Sequence, residues 1–115
     1  MGAFCETYGD TISNRVLEYL LENQGLDVAI GDIARELGIS RPKTYEVIAY
    51  FEEKGYVLRT RVVGRTQLFA LNKTNSRVIL FTKDFKECLR IVALENSIPN
   101  PKRQMSLRAP LFSRT

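Results

Sequence analysis

Residues 33–57 read IARELGISRPKTYEVIAYFEEKGYV and contain two amphipathic segments separated by a glycine. In the first segment Ile33 and Leu37 recur at helical spacing, which predicts a short helix. Gly38 supplies the positive φ with which many helices end. Ser40 is a favourable N-cap and precedes a proline that the first helical turn tolerates, so a second helix is predicted to begin there.

The second segment predicts a longer helix that ends at Gly55. Its apolar stripe consists of Thr44, Val47, Ile48 and Phe51. Two helices joined by so short a turn must cross steeply, and this arrangement is a helix-turn-helix. The outer face of the second helix is a mixed polar and aromatic surface, formed by Arg41, Lys43, Tyr45, Glu46, Ala49 and Tyr50. In a DNA-binding protein this face lies in the major groove.

The composition restricts the possible classes of protein. A chain of 115 residues with 44% hydrophobic content forms one small domain and a tail. No apolar run reaches membrane-spanning length and no leader opens the chain, so we expect a soluble, cytoplasmic protein. The sequence has no histidine, no phosphate loop and no nucleophile constellation, which argues against an enzyme, a metal site or a cofactor. Cys5 and Cys88 are expected to be small apolar residues, although a disulfide is an alternative.

The net charge of +4 is distributed unevenly along the chain. Residues 1–39 sum to −5, residues 40–73 to +4, residues 74–98 to +1 and residues 99–115 to +4. The positive charge therefore begins where the second helix of the motif begins. A basic half beside an acidic half suits a polyanion bound on one side, although charged residues also simply solvate surfaces.

The segments before the motif are less regular. Residues 1–9 are predicted to be a loose N-terminal arm, which Phe4 and Tyr8 can anchor. The DNA-binding domain is predicted to span 10–73 and to open with a helix to about Asn23, capped by Asp10 or Thr11. A brief strand is expected within residues 26–30.

After Gly55 the hydrophobic period changes from helical to alternating, which predicts two strands at 56–63 and 66–72. Gly64 and Arg65 form the turn between them, and glycine in the first turn position suits type II′. With Val63 opposite Thr66, Thr60 faces Phe69 and Leu58 faces Leu71. Arg59 and Arg61 then lie on the outer side. A hairpin with a basic tip directly behind a helix-turn-helix is the wing of a winged helix. The alternative is a strand edge that its charges protect from pairing.

The longest helix is predicted at residues 76–96. It lies in the segment 74–97, which is predicted to be the C-terminal dimerisation helix. More of this helix is apolar than its own small domain needs to cover, so we expect self-association, most simply as a homodimer. The predicted dimerisation stripe is Val78, Phe81, Phe85, Cys88 and Val92. The segment 98–115 is predicted to be a basic flexible tail. It either binds DNA phosphate or has no binding role.

Two runs, GDIARELGISRPKTYEVIAYFEEKGYV and RTRVVGRTQLFALN, resemble the winged helix-turn-helix of prokaryotic transcription regulators. The similarity is to archaeal TrmB-like and MarR/ArsR-like proteins, and it covers about residues 11–73. It implies that Arg41, Pro42, Lys43, Tyr45 and Glu46 line the DNA groove. The chain lacks the sugar-binding domain of TrmB proteins and the metal ligands of metal-sensing ArsR proteins, so no effector is implied.

The predicted fold class is α+β, mainly α: a winged helix-turn-helix with a C-terminal dimerisation helix. The predicted function is a homodimeric, sequence-specific regulator of transcription, a repressor, that binds double-stranded DNA. The alternative is a protein-interaction module or a nonspecific architectural DNA-binding module. Glu46 can either accept a hydrogen bond from cytosine or form an ion pair with a nearby basic side chain. Tyr50 can either contact phosphate or pack on the wing. The predicted DNA-binding residues are Ser40, Arg41, Pro42, Lys43, Tyr45, Glu46, Tyr50, Arg59, Arg61 and Arg65.

Overall fold

The structure, a computed structural model, describes residues 2–97. Met1 and the predicted tail 98–115 lie outside the described residues. The described residues form five helices and one three-stranded antiparallel sheet, with the strands in the order β1-β3-β2. Within this part of the chain no helix is long and apolar enough to cross a membrane. The elements in chain order are α1 (Ala3–Tyr8), α2 (Ile12–Glu22), β1 (Val28–Ala29), α3 (Ile30–Leu37), α4 (Arg41–Glu53), β2 (Val57–Val63), β3 (Thr66–Leu71) and α5 (Ser76–Ser97).

The predicted helix pair is present as α3 and α4, and its local signals act as expected. Gly38 has a left-handed φ of 68° and ends α3. The Ser40 side chain accepts a hydrogen bond from the Lys43 backbone N–H at 3.2 Å, which caps α4. The helix α3 begins at Ile30, earlier than predicted, because the Asp32 carboxylate accepts from the Ala29 N–H at 3.4 Å and satisfies it.

The buried face of α4 fixes the orientation of its exposed face. The predicted stripe of Thr44, Val47, Ile48 and Phe51 is buried. The Thr44 hydroxyl donates to the Ser40 carbonyl at 2.9 Å, so its polar atom is satisfied in the core. Val47, Ile48 and Phe51 join one hydrophobic cluster with α2, α3, the sheet and α5. Each fully buried aliphatic side chain of this kind contributes about 1.5–3 kcal/mol, so rotation of α4 is strongly disfavoured.

The wing is formed by β2 and β3, but its predicted register is only half right. The pairs Val63–Thr66 and Val62–Gln67 are confirmed. Arg59 rather than Thr60 pairs with Phe69, because a bulge places two residues of β2 opposite one residue of β3. The bulge reverses the alternation, and Arg59 therefore lies on the side of the buried Phe69 and not on the outer side. The same shift makes Leu58 pair with Ala70 instead of Leu71.

The expectation of a loose N-terminal arm is wrong, because residues 3–8 form α1. The buried Glu18 carboxylate accepts hydrogen bonds from the backbone N–H groups of Phe4 and Cys5, at 2.8 and 3.2 Å. These two donors have no partner within so short a helix, and Glu18 satisfies them. Phe4 is buried, and the Tyr8 hydroxyl donates to Asp84 of α5 at 3.1 Å. Both predicted anchors therefore hold the segment.

The long helix α5 is present, but its predicted dimerisation stripe lies against its own chain. Val78, Phe85 and Cys88 are buried, and Phe81 and Val92 are half-buried. The N-terminal α1 occupies much of this face, since α1 packs against α5. The assignment of this stripe to a partner is therefore corrected. The apolar residues that α5 leaves exposed are Ile79, Leu80, Leu89, Ile91 and Leu94.

Candidate nucleic-acid interface

A basic groove lies between the start of α3, the start of α4 and the wing. Its volume is about 470 Å³. Four arginines line it, against a single acidic residue, Asp32. The ridge of α4 and the hairpin form its two sides, so the groove faces the same way as the exposed surface of α4. The basic groove is lined by Ala29, Ile30, Gly31, Asp32, Arg35, Arg41, Tyr45, Arg59, Arg65, Thr66, Gln67 and Phe69.

Arg41 is the first residue of α4 and reaches into the basic groove across α3. Its guanidinium lies against Gly31, where an added Cβ would be 2.8 Å from Nη2 and 3.2 Å from Cζ. Among the described residues, no carboxylate forms an ion pair with Arg41. Tyr45, one turn further along, is also exposed and lines the same groove. The flank of α4 that faces the wing therefore presents a cation and a phenol.

Arg65 lies at the tip of the wing. The tip follows Gly64, whose φ of 62° is the positive value that the tight hairpin turn requires. Arg65 lines the basic groove from the wing side and, within residues 2–97, makes no ion pair. The predicted tip position of this residue is thus present, opposite the flank of α4 that holds Arg41.

The other two wing arginines are paired with carboxylates of the same chain. Arg59 Nε lies 2.7 Å from Glu52 Oε2, and Arg61 Nε lies 2.8 Å from Asp27 Oδ2. The hydrogen bond to Glu52 raises the pKa of Arg59, and the hydrogen bond to Asp27 likewise raises the pKa of Arg61. The sequence analysis placed both on one outer surface; the structure gives each a different acidic partner.

The opposite flank of α4 faces the start of α2 and holds the remaining predicted residues. Lys43 Nζ lies 3.4 Å from Glu46 Oε1, which is the ion pair named as the alternative for Glu46, and its contact with cytosine stays a prediction. Tyr50 lines a shallow groove with the start of α2, and Lys54 Nζ lies 5.5 Å from its ring centroid. Tyr50 is therefore on the side of α4 away from the basic groove. Ser40 and Pro42 are both exposed at the start of the helix.

Eight of the twelve residues that line the basic groove were not predicted from the sequence, and three of these have a reason that can be stated. Arg35 pairs with Asp32 at 2.8 Å. It was not predicted because it lies in residues 1–39, whose net charge is negative. Gln67 donates to the Arg61 and Leu68 carbonyls at 3.1 and 2.9 Å, which depends on the unpredicted bulge. Gly31 provides the space for Arg41. A glycine inside a predicted helix start is a signal of close approach that was available in the sequence.

Comparison with known proteins agrees with this geometry. Residues 13–61 match the sequence model of the IclR helix-turn-helix domain. No relative among curated proteins matches the chain. MepR of Staphylococcus aureus, a transcription regulator of the multidrug efflux pump MepA, is similar in structure. Its TM-score is 0.57 with 22% identity, over 86% of this chain and 73% of MepR.

Two further structures have the same fold. The complex of Staphylococcus aureus MepR with DNA gives a TM-score of 0.56 with 20% identity, over 80% of this chain and 74% of that one. A MarR-family transcriptional regulator from Rhodococcus sp. RHA1 gives 0.56 with 19% identity, over 84% and 68%. At these identities the structural likeness establishes the fold. The chain thus has the winged helix-turn-helix fold, and its residues 13–61 are similar to the IclR helix-turn-helix domain.

Proposed function

We propose that the chain is a sequence-specific regulator of transcription that binds double-stranded DNA as a homodimer, with α4 in the major groove. The observation that supports this most is the basic groove, where Arg41 and Arg65 line opposite sides and neither forms an ion pair with another residue of 2–97. A guanidinium without a carboxylate partner is available for phosphate or for guanine acceptors. The same fold in MepR has been solved in complex with DNA.

The positions of Arg41 and Arg65 indicate a different role in DNA binding for each. Arg41 stands at the exposed start of α4, and the first residues of a recognition helix are those that meet base edges. Arg65 is at the end of a hairpin that extends beyond the helix pair, which suits the phosphate backbone or the minor groove. Arg41 is therefore assigned to base recognition and Arg65 to holding the backbone.

The homodimer is assigned to the exposed apolar side of α5. Leu80 and Ile91 are 53% and 42% exposed, and helical geometry places them within about 20° of each other, on a flank beside the face that packs on the chain's own core. A second copy of α5 would remove this surface from water. Two-fold symmetry would also set two α4 helices on successive turns of DNA. Such a dimer covers its binding site and would repress by excluding other proteins from it.

Selection of bound sites from random double-stranded DNA tests this proposal, followed by fluorescence anisotropy at several salt concentrations. We expect enrichment of a palindromic site and an affinity that falls steeply with salt. Equal affinity for selected and random sequences would instead favour a nonspecific architectural module. Absence of salt-dependent binding at low ionic strength would contradict DNA binding and favour a protein-interaction module.

A further inference from the structure

Arg59 and Arg61 in β2 each bind a carboxylate through more than one hydrogen bond, unlike Arg65 at the wing tip. The Asp27 carboxylate, just before β1, accepts from Arg61 Nε at 2.8 Å, from Arg61 Nη2 at 3.3 Å and from the Thr60 hydroxyl at 2.9 Å. The hydrogen bond from Arg61, with that from Thr60, lowers the pKa of Asp27. This one carboxylate therefore ties both residues of the bulge to the strand before α3.

Arg59 is fixed in a similar way on the other side of the hairpin. Its Nε donates to Glu52 Oε2 at 2.7 Å, and its Nη2 lies 3.4 Å from Oε1 of the same residue. The guanidinium also lies 5.6 Å from the ring centroid of the buried Phe69. The Glu52–Arg59 pair thus joins the end of α4 to β2, and of the two residues Arg59 lines the basic groove.

Exchange of these partners for a phosphate would break several hydrogen bonds at once. A DNA phosphate that took Arg61 would remove both of its hydrogen bonds to the Asp27 carboxylate, a side chain that is 20% exposed. Phe69 and the bidentate geometry restrain Arg59 in the same way. Arg65 has no such partner in the part of the chain that the structure describes.

We infer that the Asp27–Arg61 and Glu52–Arg59 pairs persist in the DNA complex, so that Asp27 and Glu52 position the wing and Arg65 alone of its arginines contacts phosphate. This rests on the proposed function. If both pairs persist, the wing of each subunit makes one phosphate contact through an arginine and not three. Fewer counterions are then released from the DNA on binding. The bulge in β2 has a role here, because it turns Arg59 and Arg61 toward the two acids.

The test compares charge-neutral exchanges of each pair with loss of the tip charge. The variants are Asp27→Asn with Arg61→Gln, Glu52→Gln with Arg59→Gln, and Arg65→Gln alone. Each double variant keeps the net charge and a hydrogen-bonding partner. The measured quantity is the slope of log K against log salt on one double-stranded DNA, where each lost phosphate contact reduces the slope by about 0.9.

Both double variants are expected to keep the wild-type slope, while Arg65→Gln flattens it by about 0.9 per subunit. A flattening of that size in either double variant would overturn the inference. If a double variant does not fold, as judged by circular dichroism, the charge-swapped pairs Asp27→Arg with Arg61→Asp and Glu52→Arg with Arg59→Glu are measured with the same expectation of an unchanged slope. If the wild-type protein shows no salt-dependent binding, the proposed function itself fails.

Discussion

The guanidinium of Arg41 occupies the space that a side chain at position 31 would fill. A Cβ on Gly31 would lie 2.8 Å from Arg41 Nη2, closer than non-bonded atoms approach. The colliding atoms are the far end of a flexible side chain, so the backbone of α3 and α4 need not move. Gly31 is therefore a determinant of where Arg41 points and not of whether the helix pair folds.

Gly31→Ala is expected to reduce affinity for the selected DNA site several-fold. The protein itself should be as stable as wild type or more stable by up to about 1 kcal/mol, since alanine favours the helix. DNA titration and urea denaturation measure the two effects. On an Arg41→Ala background the same change should have no effect on affinity, because no guanidinium remains to be displaced. A further loss of affinity in that double variant would contradict the role of Gly31.

Removal of the Glu18 carboxylate is expected to release α1. In Glu18→Ala the N–H groups of Phe4 and Cys5 lose their acceptor inside the core, which costs about 1–3 kcal/mol in the free energy of unfolding. Urea denaturation measures this loss, and faster amide exchange should be confined to residues 3–8 and the face of α5 that they cover. The exposed Glu6→Ala, on the same helix, should change stability by less than about 0.5 kcal/mol. Similar values for the two variants would refute the capping role.

Burial, aided by the nearby Glu18 carboxylate, raises the pKa of the Cys5 thiol from 9.0 to about 11. A thiol whose pKa is higher in the folded state contributes stability below pH 9.0, and this contribution is lost between about 9 and 11. We expect the free energy of unfolding to decline over pH 9–10.5, and to decline less in Cys5→Ala. The native thiol should also react slowly with a disulfide reagent at pH 8. Identical pH profiles for both proteins, or rapid labelling of Cys5, would contradict this account.

The proposed homodimer through the exposed side of α5 predicts that a charge placed there separates the subunits. Leu80→Glu or Ile91→Glu should raise the dimer dissociation constant at least 100-fold, because each places a charge in an apolar interface. Sedimentation velocity over a range of concentrations measures it. Leu26→Glu is the matched control, since Leu26 is also exposed but lies outside α5. Equal dissociation constants for all three variants, or a monomeric wild type, would contradict the proposed interface.

Capping and turn residues in the sequence correctly predicted those elements whose ends depend on interactions between neighbouring residues. Gly38 and Ser40 correctly marked the end of α3 and the start of α4, and Gly64 located the wing tip. The prediction failed where a distant residue decides the structure. The helix α1 depends on Glu18, and the orientation of Arg61 depends on Asp27, 34 positions earlier.

The same limit applies to the candidate site. The positions of Arg41 and Arg65 followed from the motif and the turn, and both line the basic groove. The role of Arg59 did not follow, because a bulge adds one residue to a strand without any sequence pattern that marks it. The stripe on α5 was correctly identified as apolar but was assigned to a partner, since the sequence does not show that α1 covers it.

The affinity of Arg41→Ala for the selected site and for random DNA tests the central claim most directly. Loss of one bidentate contact to a base should cost about 1–3 kcal/mol at the selected site, roughly 5- to 150-fold in affinity, with little change on random DNA. Arg65→Ala should weaken binding to both DNAs equally. If Arg41→Ala weakens selected and random DNA by the same factor, α4 does not read the sequence and the assignment of its role is wrong.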